Sequence, residues 1–128
     1  MKQITKRLKP GQDLREEIEK IVKENDVQAG CVLSVVGSLS KASLRMAGGE
    51  KVKSWEGPFE IVGGTGTVSV NGCHIHIVIA DSNGKTFGGH LKEGCVINTT
   101  AEIVLLIFEG VEYKRVFGKK TGYDELEL

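Results

Sequence analysis

The sequence predicts an α/β (α+β) fold: a single compact domain over residues 1–128 in which one helix covers a sheet. Three observations predict it. The 128 residues are enough for one domain with a substantial core. One segment near the N-terminus has apolar residues at helical spacing. Beyond residue 26 the apolar residues follow the period and the residue types of β-strands.

The first elements are a strand and a helix. Residues 2–8 alternate weakly between polar and apolar and predict an opening strand, which Pro10-Gly11 ends in a turn. Asp13 is predicted as the N-cap of the helix, with Glu16 at the capping-box position. The helix has one apolar stripe and an otherwise charged surface, which is typical of a helix that covers a sheet. The stripe consists of Leu14, Ile18, Ile21 and Val22.

Short apolar segments separated by glycine-rich turns make up the rest of the chain. Gly37-Ser38 is predicted to end the first of them. Gly63-Gly64-Thr65-Gly66 opens onto a strand and not a helix, so it is interpreted as a bulge or a bend and not as a phosphate loop. The segment at 101–108 is apolar on both faces, which predicts a central strand. Strands are expected at 31–36, 42–46, 56–62, 67–70, 73–80, 85–91, 101–108 and 113–117, before a polar tail.

A hairpin is predicted at Asn71-Gly72, because both central residues of a type I′ turn need a positive φ. It joins the strand at 67–70 to the strand at 73–80. Side chains alternate along the second strand, so its two faces differ in character. Cys73, Ile75, Ile77 and Ile79 are predicted to face the core, and His74, His76 and Val78 to face away from it.

All three histidines fall between residues 74 and 90. His74 and His76 share one face of a strand, with Cα atoms about 6–7 Å apart. The turn at 81–84 returns the chain, so that a neighbouring strand can present His90. Three neutral imidazoles and an open fourth position are the arrangement of a catalytic zinc site. The alternative is that all three are hydrogen-bonded surface residues.

The charge balance bears on nucleic-acid binding. Lys+Arg and Asp+Glu are both 17, so the formal net charge is zero. A free-standing nucleic-acid binder usually carries a net basic field. The basic residues form short runs that are interpreted as solvated surface, although symmetric assembly could combine copies of one run. The runs are Lys6-Arg7-Lys9, Lys51-Lys53, Lys114-Arg115 and Lys119-Lys120.

The cysteines and the hydropathy pattern bear on location. Cys31, Cys73 and Cys95 lie far apart with no CxxC pair, and each has apolar neighbours. They are predicted to be small buried thiols in a reducing compartment. No secretory leader and no apolar run of membrane length is recognised. We therefore expect a cytoplasmic protein without a membrane partner.

Five motifs together resemble the PPC domain, the plants and prokaryotes conserved domain also called DUF296. They lie at Gly30–Leu39, Gly57–Ile61, His74–His76, Gly88–Leu91 and Thr121–Leu126, so the resemblance covers nearly the whole chain. It implies a curved, largely antiparallel sheet flanked by an N-terminal helix, assembled as a homotrimer. Plant members join this domain to an Arg-Gly-Arg-Pro hook that enters DNA. No such segment occurs here, so the DNA-binding label of stand-alone members does not carry over residue by residue.

The fold is also similar to that of acetolactate decarboxylase, a zinc enzyme with a His-x-His pair and a third histidine downstream. His74, His76 and His90 match that pattern in order and roughly in spacing. The resemblance therefore implies Zn²⁺, or another transition metal, on these three residues. The other catalytic residues of that enzyme have no counterpart that can be placed here, so its reaction is not implied.

Side chains around the metal are expected to orient the imidazoles. Glu56, Glu60 and Glu102 are candidates for this role, and Arg45 is a candidate to clamp an anion. Ordinary surface charge is the alternative for each. Two functions follow as hypotheses: a metal-binding trimer that acts on or binds a small molecule, and a DNA-associated or purely structural trimer.

Overall fold

Eight strands and one helix make up the described part of the chain, residues 1–127 of the computed structural model. The predicted first strand and helix are confirmed. In chain order the elements are β1 (Lys2–Leu8), α1 (Leu14–Glu24), β2 (Ala29–Arg45), β3 (Val52–Ser69), β4 (Gly72–Ala80), β5 (Thr86–Leu91), β6 (Val96–Ile107), β7 (Lys114–Phe117) and β8 (Asp124–Glu127).

Six strands form an antiparallel sheet that curls back on itself. Its order is β1-β6-β2-β3-β4-β5, and β5 also pairs with β2 at Leu44 and Arg45. The far edge of the sheet therefore returns to a middle strand. Long strands allow this, since β2 pairs with β6 over its first part and with β5 at its end. The curved, antiparallel sheet is confirmed. Strands β7 and β8 form a separate two-stranded sheet.

The helix packs against the sheet and its apolar residues join the core. Asp13 caps it as predicted, since its Oδ1 accepts a hydrogen bond of 3.0 Å from the backbone N–H of Glu16. Leu14 and Ile18 are fully buried against the sheet. The apolar segment predicted as a central strand lies in β6, between β1 and β2, and its residues Ile103 and Leu105 are fully buried.

The prediction that Gly37-Ser38 ends a strand is wrong. Strand β2 runs through both residues without a break. A Cβ at Gly37 would lie 2.1 Å from the backbone oxygen of Thr100, so glycine is needed here for close approach of β6 and not for a turn. The predicted bend at Gly63–Gly66 is confirmed in milder form: β3 continues, with a register shift against β4 between Ile61 and Gly63.

The hairpin between β3 and β4 is present, but its turn differs from the prediction. Ser69 pairs with Gly72, so Val70 and Asn71 form the loop, and Asn71 does not have a positive φ. The type I′ assignment is therefore wrong. The physical reason lies in the Asn71 side chain, which bonds the backbone of Arg115 twice, at 2.8 and 2.9 Å.

The C-terminal segment is not only a polar tail, since β8 pairs along its whole length with β7. Cys73 and Cys95 are buried thiols as predicted, whereas Cys31 is only half-buried. Within residues 1–127, no helix is long and apolar enough to cross a bilayer.

Candidate metal centre

Three histidine side chains converge on the outer face of the sheet. His76 and His90 are direct cross-strand partners on β4 and β5, and His74 lies two residues before His76 on the same face. Along β4, buried and exposed residues alternate as predicted, with Ile75, Ile77 and Ile79 in the core. One nitrogen from each histidine lies within 4.8 Å of the others. Residues distant by up to sixteen positions in sequence are thus placed together by one hairpin.

The distances between the rings suit a single ion. Nε2 of His74 lies 3.1 Å from Nε2 of His76. Two nitrogens bound to one Zn²⁺ at about 2.0–2.1 Å with a tetrahedral angle lie roughly 3.3 Å apart. The ring centroids of the three pairs are separated by 4.9, 5.1 and 5.5 Å. The three imidazoles can therefore hold a metal ion with small side-chain adjustments.

Partial burial, together with positive neighbours, lowers the pKa of two of these histidines and favours their neutral form. Burial, and next the guanidinium of Arg45, lower the pKa of His90 to about 3. Burial, and next the guanidinium of Arg115, lower the pKa of His74. Metal ligation requires the neutral imidazole. At neutral pH these two rings therefore have no proton to release before they bind an ion.

Arg45 is the predicted neighbouring residue that the fold brings to the site. It pairs with His90 across β2 and β5, and its Nη2 lies 3.3 Å from Nδ1 of His90. Its guanidinium also lies 5.1 Å from the centre of the Tyr123 ring, a cation–π arrangement. Tyr123 comes from the turn before β8, so the C-terminal hairpin covers one side of the histidines.

The predicted acidic residues are not brought to the histidines. Glu56 lies on β3, where it pairs with Lys41 of β2, and it lines a separate surface cavity beside Trp55 and Phe87. Glu102 is the partner of Val36 in β6, in the part of the sheet next to β1. Glu60 is paired with Ala80, at the far end of β4 from His74. None of the three lines the cleft described next.

A cleft of about 760 Å³ adjoins the cluster and is lined by His74 and His90. Of its charged residues, sequence reasoning predicted Arg45 alone and missed the others, which include Lys92 and Arg115. Lys92 follows His90 by two positions, and residues two apart in extended chain point to the same face, so local sequence could have placed Lys92 beside His90. Arg115 was interpreted as part of a surface run, yet its Nη2 donates to Oγ1 of Thr67 at 2.9 Å, and Thr67 is the cross-strand partner of His74. No local pattern signals that contact.

Cys73 lies beside the cluster but faces the core. Burial raises the pKa of its thiol to about 11, so it is protonated at neutral pH. Its Sγ lies 3.7 Å from Oε1 of Glu19 on the helix. His74 and Cys73 point to opposite faces of β4, as the alternation along the strand predicts.

The fold and the site together define a class of protein: a small, curled antiparallel domain with one helix and a three-histidine cluster on its outer face. The chain belongs to the Plants and Prokaryotes Conserved (PCC) domain family, whose model matches residues 1–109. This is the family that the sequence motifs resemble. The matched region contains all three histidines and Arg45, whereas the β7–β8 hairpin with Arg115 and Tyr123 lies beyond it.

Two solved structures show the likeness over nearly full length. A hypothetical protein from Salmonella cholerae-suis is 33% identical with a TM-score of 0.94, covering 98% of this chain and 91% of its own. A metal-containing protein from Archaeoglobus fulgidus is 27% identical with a TM-score of 0.81, covering 100% of this chain and 94% of its own. The α-acetolactate decarboxylase of Bacillus subtilis is 14% identical with a TM-score of 0.52, and the match covers 82% of this chain and 52% of that protein. At this identity the likeness shows a similar fold and nothing more.

A closer sequence match occurs within longer proteins. Two Synechococcus proteins described as the bifunctional protein GlmU are each 44% identical to this chain over 122 residues. The match covers 95% of this chain but only 20% and 19% of those proteins. The chain therefore spans about a fifth of the length of these curated relatives.

Proposed function

We propose that this protein is a metal-binding PCC-domain protein, in which His74, His76 and His90 hold a transition metal, Zn²⁺ first among them, for a small-molecule or enzymatic role. The observation that carries the proposal is the convergence of three imidazole nitrogens within 4.8 Å. The metal-containing relative from Archaeoglobus fulgidus supports it.

The donor set fits a transition metal and not Mg²⁺ or Ca²⁺. Imidazole nitrogen suits zinc, copper, iron and nickel, whereas Mg²⁺ and Ca²⁺ prefer oxygen. Within residues 1–127 no carboxylate completes the cluster, so three protein ligands leave a fourth position for water or substrate. A metal bound in this way supplies Lewis acidity and lowers the pKa of its water to about 7.

Competition titration tests the proposal. Metal-stripped protein is titrated with Zn²⁺ against a chromogenic chelator, beside single His74→Ala, His76→Ala and His90→Ala variants. We expect one site per chain, with affinity at least tenfold weaker in each variant. Asn98→Ala, a change at an exposed residue of β6, serves as the control and should bind as the parent does. Equal zinc affinity in the parent and the three histidine variants would refute the site.

Assembly as a homotrimer and a cytoplasmic location belong to the same proposal. Exposed apolar side chains on three neighbouring strands support assembly, since a lone chain would leave them in water. The three free cysteines support a reducing compartment. Sedimentation equilibrium should give three times the chain mass, and a monomer would contradict the trimer. The exposed side chains are Leu33, Val36, Val62 and Val78.

DNA association is the second candidate, because structural relatives from Bacteroides thetaiotaomicron and Ralstonia eutropha are labelled provisionally as DNA-binding. The exposed lysines of the β7–β8 hairpin, Lys114, Lys119 and Lys120, are the observation that favours it. Arg115 does not add to this surface, since its side chain bonds Thr67. Titration with duplex DNA at low salt, where phosphate contacts are strongest, would exclude this candidate if no binding occurs.

A further inference from the structure

The cleft beside the histidines carries an excess of positive charge. Four cationic residues line it, Arg15, Arg45, Lys92 and Arg115, together with two acidic residues, Asp124 and Glu125. Arg15 is neutralised by Glu19, at 2.9 Å. Among residues 1–127, none of the other three has a carboxylate oxygen within 4.0 Å. Because the cations outnumber the carboxylates and three of them are not paired with one, the surface of the cleft favours an anion.

Arg115 carries a donor with no acceptor. Its Nη2 donates to Thr67, and its Nη1 donates to the backbone oxygen of Asp124 at 3.4 Å. Its Nε is buried and has no hydrogen-bond partner among the described residues. A buried donor of a charged group is costly to leave unpaired, and most such donors in native structures have a partner.

Lys92 and Arg115 flank the histidines from two sides. Lys92 lies two residues after His90 and is half-buried at the wall of the cleft. Arg115 is bonded to Thr67, which is the cross-strand partner of His74. Lys92 and Arg115 therefore line the same cleft as His74 and His90. A guanidinium fork and an ammonium together suit the oxygens of a phosphate or a carboxylate.

We propose that this cleft binds the oxyanion group of a small molecule, a phosphate or a carboxylate, with Arg115 and Lys92 as its charged partners next to the histidine cluster. The inference deepens the proposed function, on which it rests for the metal beside the anion. The volume of about 760 Å³ suits a small molecule. The positive charge is a local property of the cleft, because the chain as a whole has a formal net charge of zero.

Calorimetric titration of the full chain at low ionic strength tests the inference. Inorganic phosphate and malonate are titrated separately into zinc-treated and metal-free protein. The variants are Arg115→Gln and Lys92→Gln, with Arg7→Gln as the control because it removes the same charge from exposed β1. We expect saturable binding of at least one anion, weakened at least tenfold in both cleft variants and unchanged in the control.

The two anions separate the two sources of the oxyanion: tighter phosphate binding indicates a phosphate ester, and tighter malonate binding indicates a carboxylate. Lys92→Gln keeps the test decisive if the loss of Arg115 disturbs β7. No saturable binding, or equal binding by parent and both cleft variants, would overturn the inference. If the protein takes up zinc but binds neither anion, the inference of an anion site is wrong and the proposed metal site stands. If it binds an anion but takes up no zinc, the proposed metal site is wrong and the anion site stands.

Discussion

The guanidinium of Arg45 donates a hydrogen bond to Nδ1 of His90, over 3.3 Å between Nη2 and Nδ1. Arginine has no acceptor, so the direction of this bond is fixed. A neutral imidazole has one nitrogen with a free lone pair. While Arg45 occupies it, that lone pair is not available to a metal. Metal binding at His90 and this hydrogen bond therefore exclude each other.

Replacing Arg45 should accordingly strengthen metal binding. In Arg45→Gln, the cation that repels the ion is gone and the competing charged hydrogen bond is weakened. Such bonds contribute about 1.5–3 kcal/mol, so we expect zinc affinity to rise about tenfold. Competition with a chelator measures it, and Arg7→Gln on exposed β1 should leave affinity unchanged. Weaker zinc binding in Arg45→Gln would show instead that Arg45 supports the ligand set.

Close approach of β4 and β5 at Gly88 is expected to be necessary for the cluster. A Cβ at Gly88 would lie 2.4 Å from the backbone oxygen of Ile77, next to the His76–His90 pair. Gly88→Ala should cost about 1–3 kcal/mol of unfolding free energy and weaken zinc binding. Gly63→Ala meets nothing within 4 Å and is the matched control. Chemical denaturation and zinc titration of both variants check this; unaltered zinc affinity in Gly88→Ala would contradict it.

The two faces of β4 should differ sharply in their contribution to stability. Ile77 is 1% exposed and its neighbour Val78 is 41% exposed. Ile77→Ala removes buried methyl groups and should lower the free energy of unfolding by about 2–5 kcal/mol. Val78→Ala removes methyl groups that only the proposed trimer interface would cover, so it should cost about 1 kcal/mol or less. Urea denaturation of both variants measures the two losses, and equal losses would contradict the assignment of Ile77 to the core face.

Acid should destabilise the metal-free protein through its histidines. The pKa of His90 is about 3 in the folded chain against an ordinary value of 6.5, and the pKa of His74 is lowered as well. Below pH 6.5 these histidines bind protons in the unfolded chain but remain neutral in the folded chain, so protonation favours unfolding. The stability that the neutral histidines contribute is therefore complete above pH 6.5 and is lost as the pH falls towards 3.

The measurement for this prediction is the unfolding free energy between about pH 7.5 and about pH 5.5, a window that lies above most carboxyl titrations. The parent should lose stability across the window more steeply than His90→Asn. Parallel curves for the two proteins would show that His90 has an ordinary pKa in the folded state.

Sequence patterns could predict the parts of this molecule that depend on local alternation. The faces of β4, and hence the pairing of His74 with His76, follow from the two-residue period of a strand. The glycine at 37 could not be interpreted correctly, because its role depends on Thr100, which only the sheet brings near. Local sequence shows that a glycine is present and does not show which backbone passes it.

The charged surroundings of the cluster were the least predictable part. Arg115 reaches Thr67 across a gap of forty-eight residues, and Asn71 holds the Arg115 backbone in place. Neither contact can be predicted from a repeating pattern in the sequence. Glu56 and Glu102 were candidates by residue type alone, and pairing in β3 and β6 places them elsewhere. Residue type indicates which chemistry is available, whereas strand register decides which side chains meet.

Metal content shows directly whether His74, His76 and His90 hold a metal. Untagged protein and a His74→Ala/His76→Ala variant are purified in parallel and analysed by plasma mass spectrometry. We predict close to one transition-metal ion per chain in the parent and a loss of that ion in the variant. A parent that is folded, contains no metal and takes up no added zinc would contradict the account.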